Sequence, residues 1–243
     1  MQNLYDTIGL NYANLRQPDP RIAGQIDAAL GDADTLLNVG AGAGSYEPAG
    51  RRITAVEPSA EMIAQRPPSQ ATVIQGSAEN LPFEDNTFDA AMAVLTIHHW
   101  TDQQKGVSEM RRVTRGKIVF LTYDPAFPGF WLADYFPALV TLDEKQMPPL
   151  SDYQTWLGPV DVSPVLIPHD CQDGFLAGYW RRPAAYLDER VRAAMSSFWK
   201  MGGITDGLQQ LATDLESGAW ERRYANLLDL EALDCGYRLV ETR

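Results

Sequence analysis

The feature that most limits what this chain can fold into is an apolar run that breaks into alternating glycines. Thr35, Leu36, Leu37, Asn38 and Val39 lead without interruption into Gly40, Ala41, Gly42, Ala43, Gly44 and Ser45. Residues 36–39 read as a buried parallel strand, and the glycines let the backbone turn tightly and approach a ligand where a Cβ would clash. A second apolar strand over residues 53–56 ends in Glu57, where a carboxylate can accept hydrogen bonds from ribose hydroxyls. A glycine-rich loop alone also marks plain turns. Joined to an acidic strand end, it points to a nucleoside-containing ligand. Dinucleotide sites usually carry a further spaced glycine where a helix starts against the pyrophosphate. Here Gly44 is followed by Ser45, Tyr46, Glu47 and Pro48, and Glu47 would repel a phosphate.

The downstream blocks keep a telling order. Val56, Glu57, Pro58, Ser59, Ala60, Glu61 and Met62 come first, then Gly76, Ser77, Ala78, Glu79, Asn80, Leu81, Pro82 and Phe83, then Phe88, Asp89 and Ala90 running to His98, His99 and Trp100. With the glycine loop, this set resembles motif I, the acidic post-I motif, the adenine loop and the motif IV strand of the class I S-adenosylmethionine-dependent methyltransferases. It resembles the type 11 methyltransferase domain in particular, over roughly residues 35–124. The resemblance implies a doubly wound, mostly parallel seven-stranded α/β sheet of Rossmann-like type, its last strand antiparallel between the fifth and sixth. The implied cofactor is S-adenosylmethionine, with S-adenosylhomocysteine as product.

Site residues follow from the same resemblance. It implies cofactor contacts from Asn38, Gly40, Ala41, Gly42 and Gly44, from Glu57, Pro58, Ser59 and Met62, from Val94 in the fourth strand and from His99 after it. Ser77, Ala78 and Glu79 would border adenine, whose edge asks for one acceptor and one donor. An N-terminal helix would fold over the cofactor, with Tyr5, Tyr12 and Arg16 in its pattern and Arg16 able to pair with the methionyl carboxylate; the plain alternative is a packing helix. Asn38 stands where the family more often has an acidic residue.

The rest of the chain reads as follows. Ile22, Ile26 and Leu30 start a helix after Pro18 and Pro20; the connection over residues 46–52, with Pro48 and Gly50, leaves room only for a brief helix. A short helix N-capped by Ser59, a strand over residues 72–74, a buried strand over residues 88–97, an amphipathic helix over residues 101–114 and a fifth strand over residues 117–122 complete the core order. His98 and His99 at the mouth of the site could act as general bases or merely pack against the cofactor. His169, with Asp170 or Asp173 as orienting carboxylate, is a further acid-base candidate, although those aspartates more often cap a helix.

Beyond residue 125, prolines punctuate Phe127, Phe130, Trp131, Tyr135, Phe136, Tyr153 and Trp156, the pattern of short helices forming a lid. The expected division is a core with N-terminal helices over residues 1–124, a substrate cap over residues 125–218 that contributes one strand near residues 160–168, and a last helix and antiparallel strand over residues 219–243. Two further helical patterns cover residues 186–207 and 208–228, and residues 237–240 are the closing strand.

Composition narrows the partners. A chain of 243 residues with 45% hydrophobic content suffices for one α/β domain with an appendage. Its formal charge of −12 offers no overall attraction to phosphate backbones or anionic membranes, so neither is an expected partner. Cys171 and Cys235, far apart and without a secretory leader, suggest the reducing cytoplasm, and no apolar run is long enough for a bilayer. No metal site is expected from three histidines. The expected function is methyl transfer to oxygen, nitrogen or carbon of a small molecule, with secondary metabolism as its setting. The rivals are an RNA or protein acceptor, a non-catalytic cofactor-binding protein, and a dinucleotide oxidoreductase.

Overall fold

The computed structural model describes residues 15–243. Its centre is one seven-stranded sheet in the order β3-β2-β1-β4-β5-β7-β6. The strands are β1 (Thr35–Val39), β2 (Arg52–Glu57), β3 (Thr72–Gln75), β4 (Ala90–Val94), β5 (Ile118–Tyr123), β6 (Val160–Pro168) and β7 (Ala232–Thr242). Strands β1 to β5 pair in parallel, and β7 runs antiparallel to both β5 and β6. This is the seven-stranded, mostly parallel layout anticipated above. The strand order reverses at β1, which pairs with β2 on one side and β4 on the other; a crevice opens there at the carboxyl ends of the strands.

Strand residues of alternating side supply two separate cores. Leu36, Met92, Val119 and Leu121 face one layer, with Ile22, Ile26 and Leu30 of helix α1 (Pro20–Leu30) and with Trp180. Leu37, Ala91, Ala93, Ile118 and Phe120 face the other, with Val107, Met110 and Val113 of the helix spanning Gln103–Val113. The period of two in the pleat divides one apolar run between two helix layers. Each fully buried Leu, Ile, Val, Met or Phe among them contributes about 1.5–3 kcal/mol. Helix α1 begins where Asp19 accepts from the Arg21 amide and proline occupies the first turn.

A third apolar cluster gathers Trp131, Tyr135, Phe136, Tyr186, Phe198 and Leu211 with Trp220 and Tyr224, the last two from the segment expected to complete the core. The Trp131 indole donates to the Trp180 carbonyl at 2.6 Å and ties this cluster to the sheet layer that holds Trp180.

Several sequence expectations need correction. No helix follows the glycine loop; residues 41–51 run through turns into β2. The strand expected to reach residue 97 stops at Val94, because Leu95 adopts φ +51° and residues 97–99 form a 3-10 turn. The two helical patterns after residue 186 fragment into Glu189–Ala193, Ser196–Lys200, Thr205–Glu216 and Ala219–Arg223, interrupted by left-handed Gly203 and Gly218. The last strand is longer than expected, since pairing with β6 carries it back to Ala232 through a register irregularity at Gly236, which has φ +90°.

Candidate active site

A cleft of about 330 Å³ opens at the ends of β1, β2 and β4. The glycine loop forms its floor. Gly40 has φ +67°, and a Cβ there would overlap the side chain of Thr96, so the close approach of loop and β4 end depends on glycine. The amides of Gly40 and Ala41 both donate to the Val56 carbonyl, at 2.8 and 3.1 Å. The loop is thereby stitched to β2 just before Glu57.

Glu57 is 6% exposed, and its carboxylate organises the site. One oxygen accepts from the Gly42 amide at 2.8 Å and the other from the Ser59 amide at 2.9 Å. Each carboxylate oxygen can accept a second hydrogen bond, so the group can also hold a vicinal diol presented from the cleft. Ser59 itself caps the next short helix through the Met62 amide, and it stands behind the wall rather than in it.

Beneath the loop lies a charged pair that the sequence did not announce. Arg66 and Glu47, with side chains 6% and 9% exposed, meet through Nη2 at 2.6 and 2.7 Å from the two carboxylate oxygens. The Asn38 side-chain amide donates to the same Glu47 at 2.9 Å, and Arg66 Nη1 reaches the Gly42 carbonyl at 3.3 Å. Glu47 therefore does not face a ligand as a repelling charge, as had been expected. It anchors Asn38, the position where an acidic residue is more usual. Gly44, expected in the wall, packs on Arg66 and turns the loop instead.

Most of the anticipated residues do come together. Arg16, Asn38, Gly40, Ala41 and Gly42 line the cleft with Glu57, Pro58 and Met62; Ser77, Ala78 and Glu79 form one side; Val94 and His99 close another. Tyr5 and Tyr12 lie outside the described residues. Arg16 is engaged by Asp173, with Nε at 2.6 Å from a carboxylate that is fully buried and also accepts from Tyr46 at 2.8 Å. Sequence reasoning left Tyr46, Leu95, Thr96, Trp100 and Thr101 off the site. Trp100 had a signal, since it ends the His-His-Trp triplet. Tyr46 and Leu95 had none, because both owe their place to a positive φ that no side chain of their kind advertises.

The two histidine rings touch, with centroids 3.9 Å apart, but they line different cavities. His99 lines the cofactor cleft, and burial, reinforced by Lys200 and Arg16, pulls its pKa down to about 3. His98 lines a second cavity of about 60 Å³ that shares Arg16 and Leu95 with the first. Burial first, then neighbouring His99, Lys200 and Arg16, holds its pKa well below the usual range. Both shifts favour the neutral imidazole. His169 is misplaced as an acid-base candidate. It follows β6 at the sheet edge, three strands from β4; its amide donates to the Glu231 carbonyl and its ring lies 3.5 Å from the Glu231 carboxylate. Its expected partners are occupied too, Asp170 by Arg21 and Asp173 by Arg16 and Tyr46. Neither aspartate caps a helix. Among the described residues no group of three potential ligands could hold a metal ion.

The doubly wound sheet, the glycine floor with no room for a Cβ, and a carboxylate at the end of β2 define a protein that binds a nucleoside cofactor at a strand-order reversal. A methyltransferase-domain profile matches residues 37–121. A solved structure of a methyltransferase described as belonging to an antibiotic biosynthesis pathway of Anabaena variabilis is 36% identical, with a TM-score of 0.87 over 95% of this chain and 100% of that one. The chloroplastic 2-methyl-6-phytyl-1,4-hydroquinone methyltransferase of Spinacia oleracea is 27% identical over 63% of this chain and 48% of its own length. A ubiquinone/menaquinone biosynthesis C-methyltransferase of Geobacter is 33% identical over 43% of this chain and 48% of its own. The chain thus spans about half the length of these two curated relatives. It belongs to the class I S-adenosylmethionine-dependent methyltransferases, in the type 11 methyltransferase domain family.

Proposed function

We propose that the protein transfers a methyl group from S-adenosylmethionine to a small-molecule acceptor. The carrying observation is the pair of adjoining cavities: one of nucleoside size, the other of about 60 Å³, meeting at Arg16 and Leu95. The second suits a small group better than a polymer chain. The net charge of −12 also speaks against a nucleic-acid acceptor, and the relatives named above are a 2-methyl-6-phytyl-1,4-hydroquinone methyltransferase and a ubiquinone/menaquinone biosynthesis C-methyltransferase.

The cleft fits the cofactor on its own chemistry. Glu57 would accept the ribose hydroxyls, and Asn38, the Gly40 to Gly42 floor and Arg16 would hold the amino-acid end. Ser77, Ala78 and Glu79 would border the base. When bound, the cofactor supplies a methyl already activated by its sulfonium. The protein's tasks are then to orient the acceptor in line, to exclude water and to accept a proton or hydrogen bond from it. Arg16 and Leu95, at the join of the cavities, set that line.

No helix among the described residues is long and apolar enough to cross a membrane. Both cysteines are buried and free, which supports a cytoplasmic setting for the reaction. The test is to incubate the protein with methyl-labelled S-adenosylmethionine and separate extracts of small molecules, RNA and protein. Label confined to the small-molecule fraction is expected. Label in RNA or protein, or cofactor binding with no label anywhere, overturns the proposal.

A further inference from the structure

One fully buried carboxylate lies outside both cavities yet holds residues that line them. Asp173 follows β6, is 0% exposed and borders neither cavity. It accepts from Arg16 Nε at 2.6 Å, with Nη2 at 3.5 Å from its other oxygen, and from the Tyr46 hydroxyl at 2.8 Å. Those donors stand 157 and 127 positions away in the chain. Arg16 lines both cavities, and Tyr46 lines the cofactor cleft beside the glycine loop. The backbone closes around the same point. Arg16 and Asp173 form an antiparallel bridge, and the Gly174 amide donates to the Leu15 carbonyl at 2.9 Å. A Cβ on Gly174 would fall 2.6 Å from that carbonyl oxygen, so the two segments approach this closely only through glycine.

We propose that Asp173 is a positioning residue: from behind the wall it sets Arg16 and Tyr46 so that the cleft selects ligands carrying an amino-acid end. The inference rests on the methyl-transfer reading above, in which Arg16 holds that end of the cofactor. A carboxylate set against Nε and one Nη fixes the plane of the guanidinium fork. A side chain ordered in advance loses less freedom when a ligand carboxylate arrives. The five N–H donors of a guanidinium also exceed what one carboxylate can take.

Charge and strain point the same way. The amino-acid end is a zwitterion, and an arginine whose charge is balanced by Asp173 matches it better than a lone cation, which would repel the ammonium. Tyr46 sits at φ +65°, a conformation that tyrosine rarely adopts, and its hydroxyl bond to a buried carboxylate helps to keep it there. Burial first, then the Asp173 charge, pushes the Tyr46 phenol far above its ordinary pKa, so it stays the donor in that bond. One carboxylate thus orders a residue from the start of the described chain and a residue of the glycine loop together.

The test is calorimetric titration of wild type, Asp173→Asn and Arg16→Lys with S-adenosylhomocysteine and with 5′-methylthioadenosine, which keeps base, ribose and sulfur but lacks the amino-acid end. Asp173→Asn is expected to weaken S-adenosylhomocysteine roughly tenfold, the worth of one charge-assisted hydrogen bond, and to change methylthioadenosine by less than about twofold. Arg16→Lys keeps the charge but loses the fork, and it should show the same selective loss. The double variant should lose little more than the larger single loss, since both substitutions act through one contact. Equal losses for the two ligands would make Asp173 merely structural, and no loss would show that it sets nothing; either result overturns the inference. If Asp173→Asn fails to fold, Arg16→Lys decides, and an undiminished preference for S-adenosylhomocysteine overturns it. A wild type that binds neither ligand would instead sink the methyltransferase reading, whereas one that binds both equally sinks only this inference.

Discussion

The buried pair under the glycine loop makes the sharpest mutational prediction. In Glu47→Leu, Arg66 keeps its charge at 6% exposure but loses both of its 2.6–2.7 Å contacts, and the Asn38 amide loses its acceptor. Leaving one partner of a buried pair uncompensated costs about 3–5 kcal/mol. For a domain of this size that corresponds to a fall of roughly 6–20 °C in Tm. Arg66→Met should cost about the same, since it strands Glu47. The double variant removes both charges together, so it should recover most of the loss, with a coupling of at least ~2 kcal/mol. Urea denaturation of the four proteins measures this cycle. Because Arg66 also reaches the Gly42 carbonyl at 3.3 Å, both single variants should bind S-adenosylhomocysteine more weakly as well. Single-variant costs below about 1 kcal/mol, or a double variant equal to their sum, would show that the pair does not hold the loop.

Gly40→Ala puts a Cβ into the Thr96 side chain at a residue with φ +67°; it should destabilise by about 1–3 kcal/mol and abolish cofactor binding, read by calorimetry. Asp173→Asn keeps the shape of a fully buried side chain but removes the charge that holds Arg16 and Tyr46. Cofactor affinity should drop at least several-fold, and an unchanged affinity would show that this pair does not shape the cleft. Asp143 carries a pH signature, since burial pushes its pKa up to about 6, against which the Gln146 hydrogen bond and Lys200 work only partly. A raised carboxyl pKa means the folded state holds the proton more tightly, so its contribution is complete below about pH 4 and is lost as pH rises through about 6. Wild type should therefore lose on the order of 2 kcal/mol relative to Asp143→Asn between pH 4 and pH 7, and parallel stability curves would refute the assignment.

What could be read from the sequence was local or periodic. Leu36 and Leu37 announce a strand buried on both faces, Gly40 and Gly42 the turn beyond it, and Glu57 the acidic end of its neighbour, because each depends on residues a few positions away. What escaped depends on distant partners. Arg16 finds Asp173 across 157 positions, and Arg66 finds Glu47 across 19, with no period to announce either. Glu47 was misjudged for that reason: a carboxylate beside a glycine loop looks like a ligand-facing charge until the arginine beneath it is seen. His98 and His99 are adjacent in sequence, yet on the 3-10 turn at residues 97–99 they line different cavities, a division that no composition argument supplies. His169 failed on topology, because the edge position of β6 removes it from the crevice.

Calorimetric titration of S-adenosylhomocysteine and of NAD into the wild type and Glu57→Ala tests the central claim most directly. Glu57 touches both the loop, through Gly42, and the cleft. The account predicts binding of S-adenosylhomocysteine at one site, no comparable binding of NAD, and a loss of at least roughly tenfold in Glu57→Ala, from charge-assisted hydrogen bonds removed. Binding of NAD in preference, or S-adenosylhomocysteine affinity that is untouched by the substitution, would contradict it.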